Sequence, residues 1–119
     1  MPQDEAVIAG IGTDAPIEPD ENGYGRSHLP YRFDLIDAEA MFKMAGILDA
    51  GARKYGVDNW RGMQTEDHIN HALSHLYAFL SGDRQDDHLE HALCRVMFAV
   101  ATEQPSNAAK IPPPQTYDA

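Results

Sequence analysis

The chain has 119 residues, nineteen acidic and nine basic side chains, and a formal net charge of -10. That excess of negative charge argues against duplex DNA or an anionic membrane as partner, because both are bound through basic patches that release counterions. No apolar run approaches the roughly 20 residues that a membrane helix needs, and the length fits one domain.

The opening MPQDEAVIAG lacks the positive segment and apolar block of a secretory signal, Ala6 to Ile11 being only mildly apolar, so the cytoplasm is the expected location. A single cysteine, Cys94, excludes an internal disulfide and a zinc cluster built from thiolates, and its apolar helical setting marks it as a small core side chain. Small anionic ligands stay open, since they need only a local group of cations. Arg53, Lys54 and Arg61 provide one.

Residues 1–30 mix Gly, Pro, Asp and Glu without periodicity and read as an irregular tail. Residues 103–119, with Pro105 and the run Pro112, Pro113, Pro114, read as a proline-rich tail. The packing domain is then 31–102, about 70 residues, which is marginal alone and points to helix faces buried against a second subunit. The fold class expected is all-α: a short helical bundle with an antiparallel helical hairpin, completed by oligomerisation.

Three helices are predicted. The first runs from near Asp34 or Asp37 to Tyr55, with Met41, Met44, Ala45, Leu48, Ala52 and Tyr55 at spacings of three and four, and Gly56 as its C-terminal cap. The linker GVDNWRGMQ follows. Thr65 or Asp67 caps a second helix to about Leu80, SGDRQ breaks it, and a third helix covers about Asp86 to Ala101.

The second and third helices repeat one another. Asp67-His-Ile-Asn-His-Ala-Leu-Ser-His75 aligns with Asp87-His-Leu-Glu-His-Ala-Leu-Cys-Arg95 at an offset of twenty, with five of nine positions identical. On helices of 3.6 residues per turn, Ile69, Leu73, Leu76 and Leu80 form one stripe and His68, His71 and His75 a ridge roughly opposite. Leu89, Leu93, Val96 and Val100, with His88, His91 and Arg95, repeat that division. A short turn centred near Asp83 sets side by side residues whose numbers sum to about 166, so His75 faces His91 and His71 faces Arg95. If both stripes share a core with the first helix, His71, His75, Asp87 and His91 converge.

Imidazoles with a carboxylate suit a transition metal or acid–base work, whereas carboxylates alone, here Glu39, Asp86, Asp87 and Glu90, favour magnesium. The plain alternative is that the histidines cap helices, bond to backbone or face water. In the linker, Lys54 and Arg61 are suited to phosphate, Asn59 to a base edge, and Tyr55 or Trp60 to stacking on a base. Trp60 serves equally as a cover over the end of the helical core.

The segment Gly51-Ala-Arg-Lys-Tyr-Gly-Val-Asp-Asn-Trp-Arg-Gly62, followed by the two histidine helices, resembles the phage-associated dATP/dGTP diphosphohydrolase-like family over roughly residues 31–101. The resemblance implies an all-α nucleotide pyrophosphohydrolase that cuts a deoxynucleoside triphosphate between its α and β phosphates, with a divalent metal and water as nucleophile. Residues matching the motif are Lys54, Tyr55, Asn59, Trp60, His75 and His91, with Glu39 as an acid near the start of the first helix. The broader group's Glu-Glu-x-x-Glu and later Glu-x-x-Asp are absent from this sequence.

The combined expectation is a homo-oligomer acting on a purine nucleotide in the cytoplasm, that of the host if the protein is phage-encoded. His71, His75, Asp87 and His91 would hold a divalent metal, magnesium or manganese first and zinc second. Glu39 or Glu90 would orient water, Lys54, Arg61 and Arg95 would bind phosphates, and Tyr55 or Trp60 would hold the base. Two alternatives are a protein of the same fold that sequesters a nucleotide intact and a helical oligomerisation module without a ligand.

Overall fold

The computed structural model describes residues 15–104. The remainder of both predicted tails, including Ala6 to Ile11 and the prolines from Pro105 onward, lies outside the described residues. Within the segment read as an irregular tail, strands β1 (Ile17–Pro19) and β2 (Gly25–Ser27) pair antiparallel, Ile17 opposite Ser27 and Pro19 opposite Gly25. The connecting turn is built by Asp20, whose Oδ1 accepts from the backbone N–H of Asn22 and of Tyr24, both at 2.9 Å, while Gly23 supplies a φ of 88°. Glu18 accepts from His28 Nδ1 at 2.8 Å, and this bond holds the Glu18 carboxyl below its usual range. Strands of three residues are too short to show alternation in sequence.

The helical unit begins at Asp37. Its elements are α1 (Ala38–Tyr55), a 3-10 turn (Asn59–Gly62), α2 (Thr65–Leu80) and α3 (His88–Thr102). Asp37 starts α1 because its side chain accepts from the Ala40 N–H at 2.8 Å, and Gly56, at a φ of 99°, ends it. Gln64 gives α2 no side-chain cap. Instead Thr65 reaches across to α3: Thr102 donates its hydroxyl proton to the Phe98 carbonyl at 2.8 Å, so Thr65 donates to Thr102, at 2.9 Å.

A mostly helical protein with irregular flanks is what the sequence predicts, and the structure has it. One part of that expectation is reversed. The stripes Ile69, Leu73, Leu76, Leu80 and Leu89, Leu93, Val96, Val100 do not share a core with α1; all eight are exposed, from 37% at Leu76 to 76% at Leu80. The buried face of the hairpin carries Ala72, Ala92 and Ala99 together with His68 and His88. Small side chains let two helices approach closely, and buried imidazoles cost little when each ring nitrogen has a partner. Every buried side-chain nitrogen and oxygen among the described residues has one.

α1 packs on α3 through Met44, Cys94 and Phe98, with Ile47, Leu48, Trp60 and Met97 around them. The Cys94 thiol donates to the Met44 carbonyl at 3.6 Å, and burial pushes its pKa up, which keeps it a protonated core side chain. Phe98 stacks on Trp60 with centroids 4.4 Å apart and planes 11° from parallel. No helix among the described residues is long and apolar enough to cross a membrane.

Because Phe98 joins α3 to the 3-10 turn, Phe98→Ala removes one of the few large buried side chains of a small core. Urea unfolding should show a loss of about 3 kcal/mol or more. A loss below about 1 kcal/mol, the range of ordinary surface changes, would contradict this packing.

Candidate functional site

The C-terminal end of α1, the 3-10 turn and the inward faces of α2 and α3 enclose a cleft of about 920 Å³. Volumes of 300–1,000 Å³ are typical of small-molecule sites. Its walls carry Lys54, Tyr55, Asn59, Trp60, Arg61, His71, His75, His91 and Arg95, so nine of the twelve side chains singled out from sequence line one space. The other three do not. Asp87 and Glu90 line a second cavity of about 450 Å³ with Lys43, Arg84 and His88. Glu39 lines neither cavity and pairs with Lys43 at 3.9 Å. It lies fifteen residues before Lys54 on the same helix, about 22 Å along its axis.

The facing pairs follow the hairpin arithmetic in part. His75 and His91 stack with centroids 4.9 Å apart. Arg95 reaches His68 rather than His71, its Nη1 donating to His68 Nδ1 at 3.1 Å. Among the described residues, those close enough to share a metal are His75, Asp86 and His88, whose ligand atoms lie within 4.8 Å of one another. Of the four residues expected to hold a metal, His71, His75, Asp87 and His91, this group includes His75, and Asp86 and His88 stand with it. The signal for them was faint: α3 begins at His88, and the linker before it folds back so that Asp83 and Asp86 reach the imidazoles.

With both rings neutral, hydrogen bonding selects their tautomers. His88 Nε2 lies 2.5 Å from Asp83 Oδ2, an acceptor, so Nε2 carries the proton and Nδ1 presents a lone pair. His75 Nδ1 lies 2.9 Å from that lone pair and donates to it in the metal-free ring pair. Moving that proton to His75 Nε2 would leave two imidazole nitrogens and the Asp86 carboxylate facing a cation, with the ring still neutral. Asp83 would back His88, the carboxylate–histidine arrangement common at metal sites. The donor set therefore fits a divalent metal, and two nitrogens favour a transition ion over magnesium.

Electrostatics favour the ligand forms. Burial, then the neighbouring His91 and His88, holds the His75 pKa below its ordinary 6.5. The Asp87 backbone N–H, donating at 2.8 Å, holds Asp86 below its ordinary range, with His91, His75 and His88 adding to the effect. A neutral imidazole and an ionised carboxylate need lose no proton on binding a cation near neutral pH.

The cations differ in what they face. Arg53, Arg61 and Lys43 are paired with Asp49, Asp58 and Glu39. Lys54 and Arg95 pair with no carboxylate among the described residues: Lys54 Nζ lies 5.0 Å above the Tyr55 ring, and Arg95 contacts His68 and Met63. Both line the cleft. The aromatic side chains differ too. Trp60 has Phe98 on one face and the Arg61 guanidinium 4.3 Å from its ring centre, which places the guanidinium on the other. Tyr55 is 59% exposed.

Titration by NMR should place the His75 midpoint in metal-free protein below 6.5, and His91→Ala should raise it by removing a like charge. Since the fold resists protonation of His75, its contribution to stability is complete above 6.5 and is lost as pH falls from there through the lower folded-state midpoint. A His75 midpoint above 6.5 would contradict the geometry.

No curated protein and no solved structure matches the chain. Residues 20–110 match the family described as "dATP/dGTP diphosphohydrolase, N-terminal". That match spans well over half of the sequence and covers every side chain of the cleft, so the chain belongs to the dATP/dGTP diphosphohydrolase family.

Proposed function

We propose that the cleft binds a purine deoxynucleoside triphosphate and hydrolyses it between the α and β phosphates, releasing pyrophosphate. The observation that carries this reading is the pair of cations, Lys54 and Arg95, that have no carboxylate partner among the described residues and stand on the wall of a nucleotide-sized cleft in a chain of net charge -10. Such cations are stabilised by an anionic ligand, and in this family the ligand is a nucleotide. Lys54 and Arg95 hold phosphate oxygens, and Tyr55 takes the base on its exposed ring, with Asn59 at a base edge. Trp60, covered on both faces, supports the turn that carries Asn59 and Arg61.

A divalent metal is held by His75, Asp86 and His88, and when bound it supplies a Lewis acid that offsets phosphate charge. Asp86 lines both cavities, so the metal residues lie at the boundary between them. Glu90, lining the second cavity beside His88, is the carboxylate placed to orient water and accept its proton. Water oxygen bonds to the α phosphorus as the bond to the α–β bridging oxygen breaks, and the electron pair leaves with pyrophosphate.

One observation favours a second reading, sequestration of the nucleotide intact. Neither carboxylate predicted to orient water, Glu39 or Glu90, lines the larger cleft. Purified protein with dGTP or dATP and manganese, magnesium or zinc should release pyrophosphate. Lys54→Ala and Arg95→Ala should each raise KM roughly tenfold or more, as expected for losing a hydrogen bond to a charged group. His88→Ala should lower kcat. Tight binding with the nucleotide recovered whole would establish sequestration, and no binding of any purine nucleotide would remove both readings.

The same reading includes a homo-oligomer. Eight exposed apolar side chains lie on one face of α2 and α3, and a row of exposed apolar side chains is the kind of surface that marks an interaction site. A second copy of the hairpin offers a face of the same shape and chemistry. Light scattering should give a mass that is a multiple of 13.2 kDa, shifted toward 13.2 kDa by Leu73→Glu with Leu93→Glu. A monomeric wild-type protein would contradict it.

A further inference from the structure

We infer that His68 is a positioning residue for Arg95, holding the guanidinium in the cleft through an uncharged acceptor and so leaving its full charge for phosphate. This deepens the proposed reading and rests on Arg95 as a phosphate ligand. His68 is 0% exposed and forms no part of the metal cluster. Its Nε2 lies 3.0 Å from the Trp60 carbonyl and its Nδ1 lies 3.1 Å from Arg95 Nη1.

Only one form of the ring satisfies both neighbours. A carbonyl oxygen can only accept and a guanidinium can only donate, so Nε2 carries the proton and Nδ1 the lone pair. The other tautomer sets two donors against each other at Arg95 and leaves the Trp60 carbonyl facing a lone pair, and an imidazolium sets its second N–H against the guanidinium. In a site without solvent each mismatch leaves a polar group unpaired. The ring cannot turn away easily, because its edge packs against Phe98 at 5.2 Å and 63° and against Trp60 at 6.4 Å and 72°.

The identity of the acceptor matters for anion binding. Arginines are commonly held by carboxylates, and on this chain Arg32, Arg53 and Arg61 are. A carboxylate fixes the guanidinium but offsets its charge; a neutral imidazole fixes it and offsets nothing. His68 also bonds to the 3-10 turn bearing Asn59 and Arg61, so one buried ring ties that turn to the guanidinium of α3.

The test combines one spectrum with one mutant cycle. Long-range nitrogen–proton NMR of the wild-type protein at pH 7 should show His68 protonated on Nε2 alone. With α,β-methylene dGTP and Mn²⁺ as probe, calorimetry should show His68→Phe weakening affinity roughly tenfold, the worth of one hydrogen bond to a charged group. His68→Gln, which keeps a donor and an acceptor, should restore most of it. In the Arg95→Ala background His68→Phe should cost nothing further. A His68 ring protonated on Nδ1 overturns the inference, and this readout needs no variant, so it decides even if His68→Phe does not fold. So does an equal loss from His68→Phe with and without Arg95, which would mark a packing role. Loss in Arg95→Ala with none in His68→Phe overturns the inference alone, whereas wild-type affinity in Arg95→Ala overturns it together with the phosphate role of Arg95.

Discussion

The packing of α2 on α3, whose buried faces carry Ala72 and Ala92, is the constraint from which the site follows. Each alanine lies four residues after a buried histidine, His68 and His88, because the two helices repeat one pattern. With alanine at the contact the backbones can approach, and side chains one turn to either side meet their counterparts across the seam. That is how His75 reaches both His88 and His91, and how Arg95 reaches His68. Larger residues at the two alanines would separate these pairs and empty the cleft of its polar wall.

Polar groups on a buried face need partners, and the partners chosen here leave some capacity free. Asp83 takes the outer nitrogen of His88, so that ring presents its lone pair toward His75 and Asp86. The Trp60 carbonyl takes the outer nitrogen of His68, so that ring presents its lone pair to Arg95. In the proposed function the same device serves two ends of one seam: at one end it would prepare a nitrogen for a cation, at the other it would hold a cation for an anion. A nucleotide triphosphate with its metal carries both complementary charges.

Much of this was legible in the sequence. Asp37 and Gly56 bound α1 as their capping chemistry predicts, the offset of twenty identified the paired helices, and the turn near Asp83 brought His75 against His91. Periodicity could not tell which face turns inward. It shows that the leucine stripe is apolar, and the same pattern fits a stripe facing the core of its own chain or one lying on the surface. Nor could it show that Asp86 and His88 join His75, since their meeting depends on a linker that has no period of its own. Trp60 was read evenly as base platform or core cover, and in the structure Phe98 and Arg61 lie against its ring.

In the proposed function the two histidine helices present an anion site within the cleft and a cation site at its edge. Anomalous diffraction at the manganese edge, from crystals grown with Mn²⁺ and α,β-methylene dGTP, measures both at once. The expected map has its manganese peak among His75, Asp86 and His88, with triphosphate density beside Lys54 and Arg95. Manganese bound elsewhere on the protein, or a nucleotide seated outside the cleft, would contradict it.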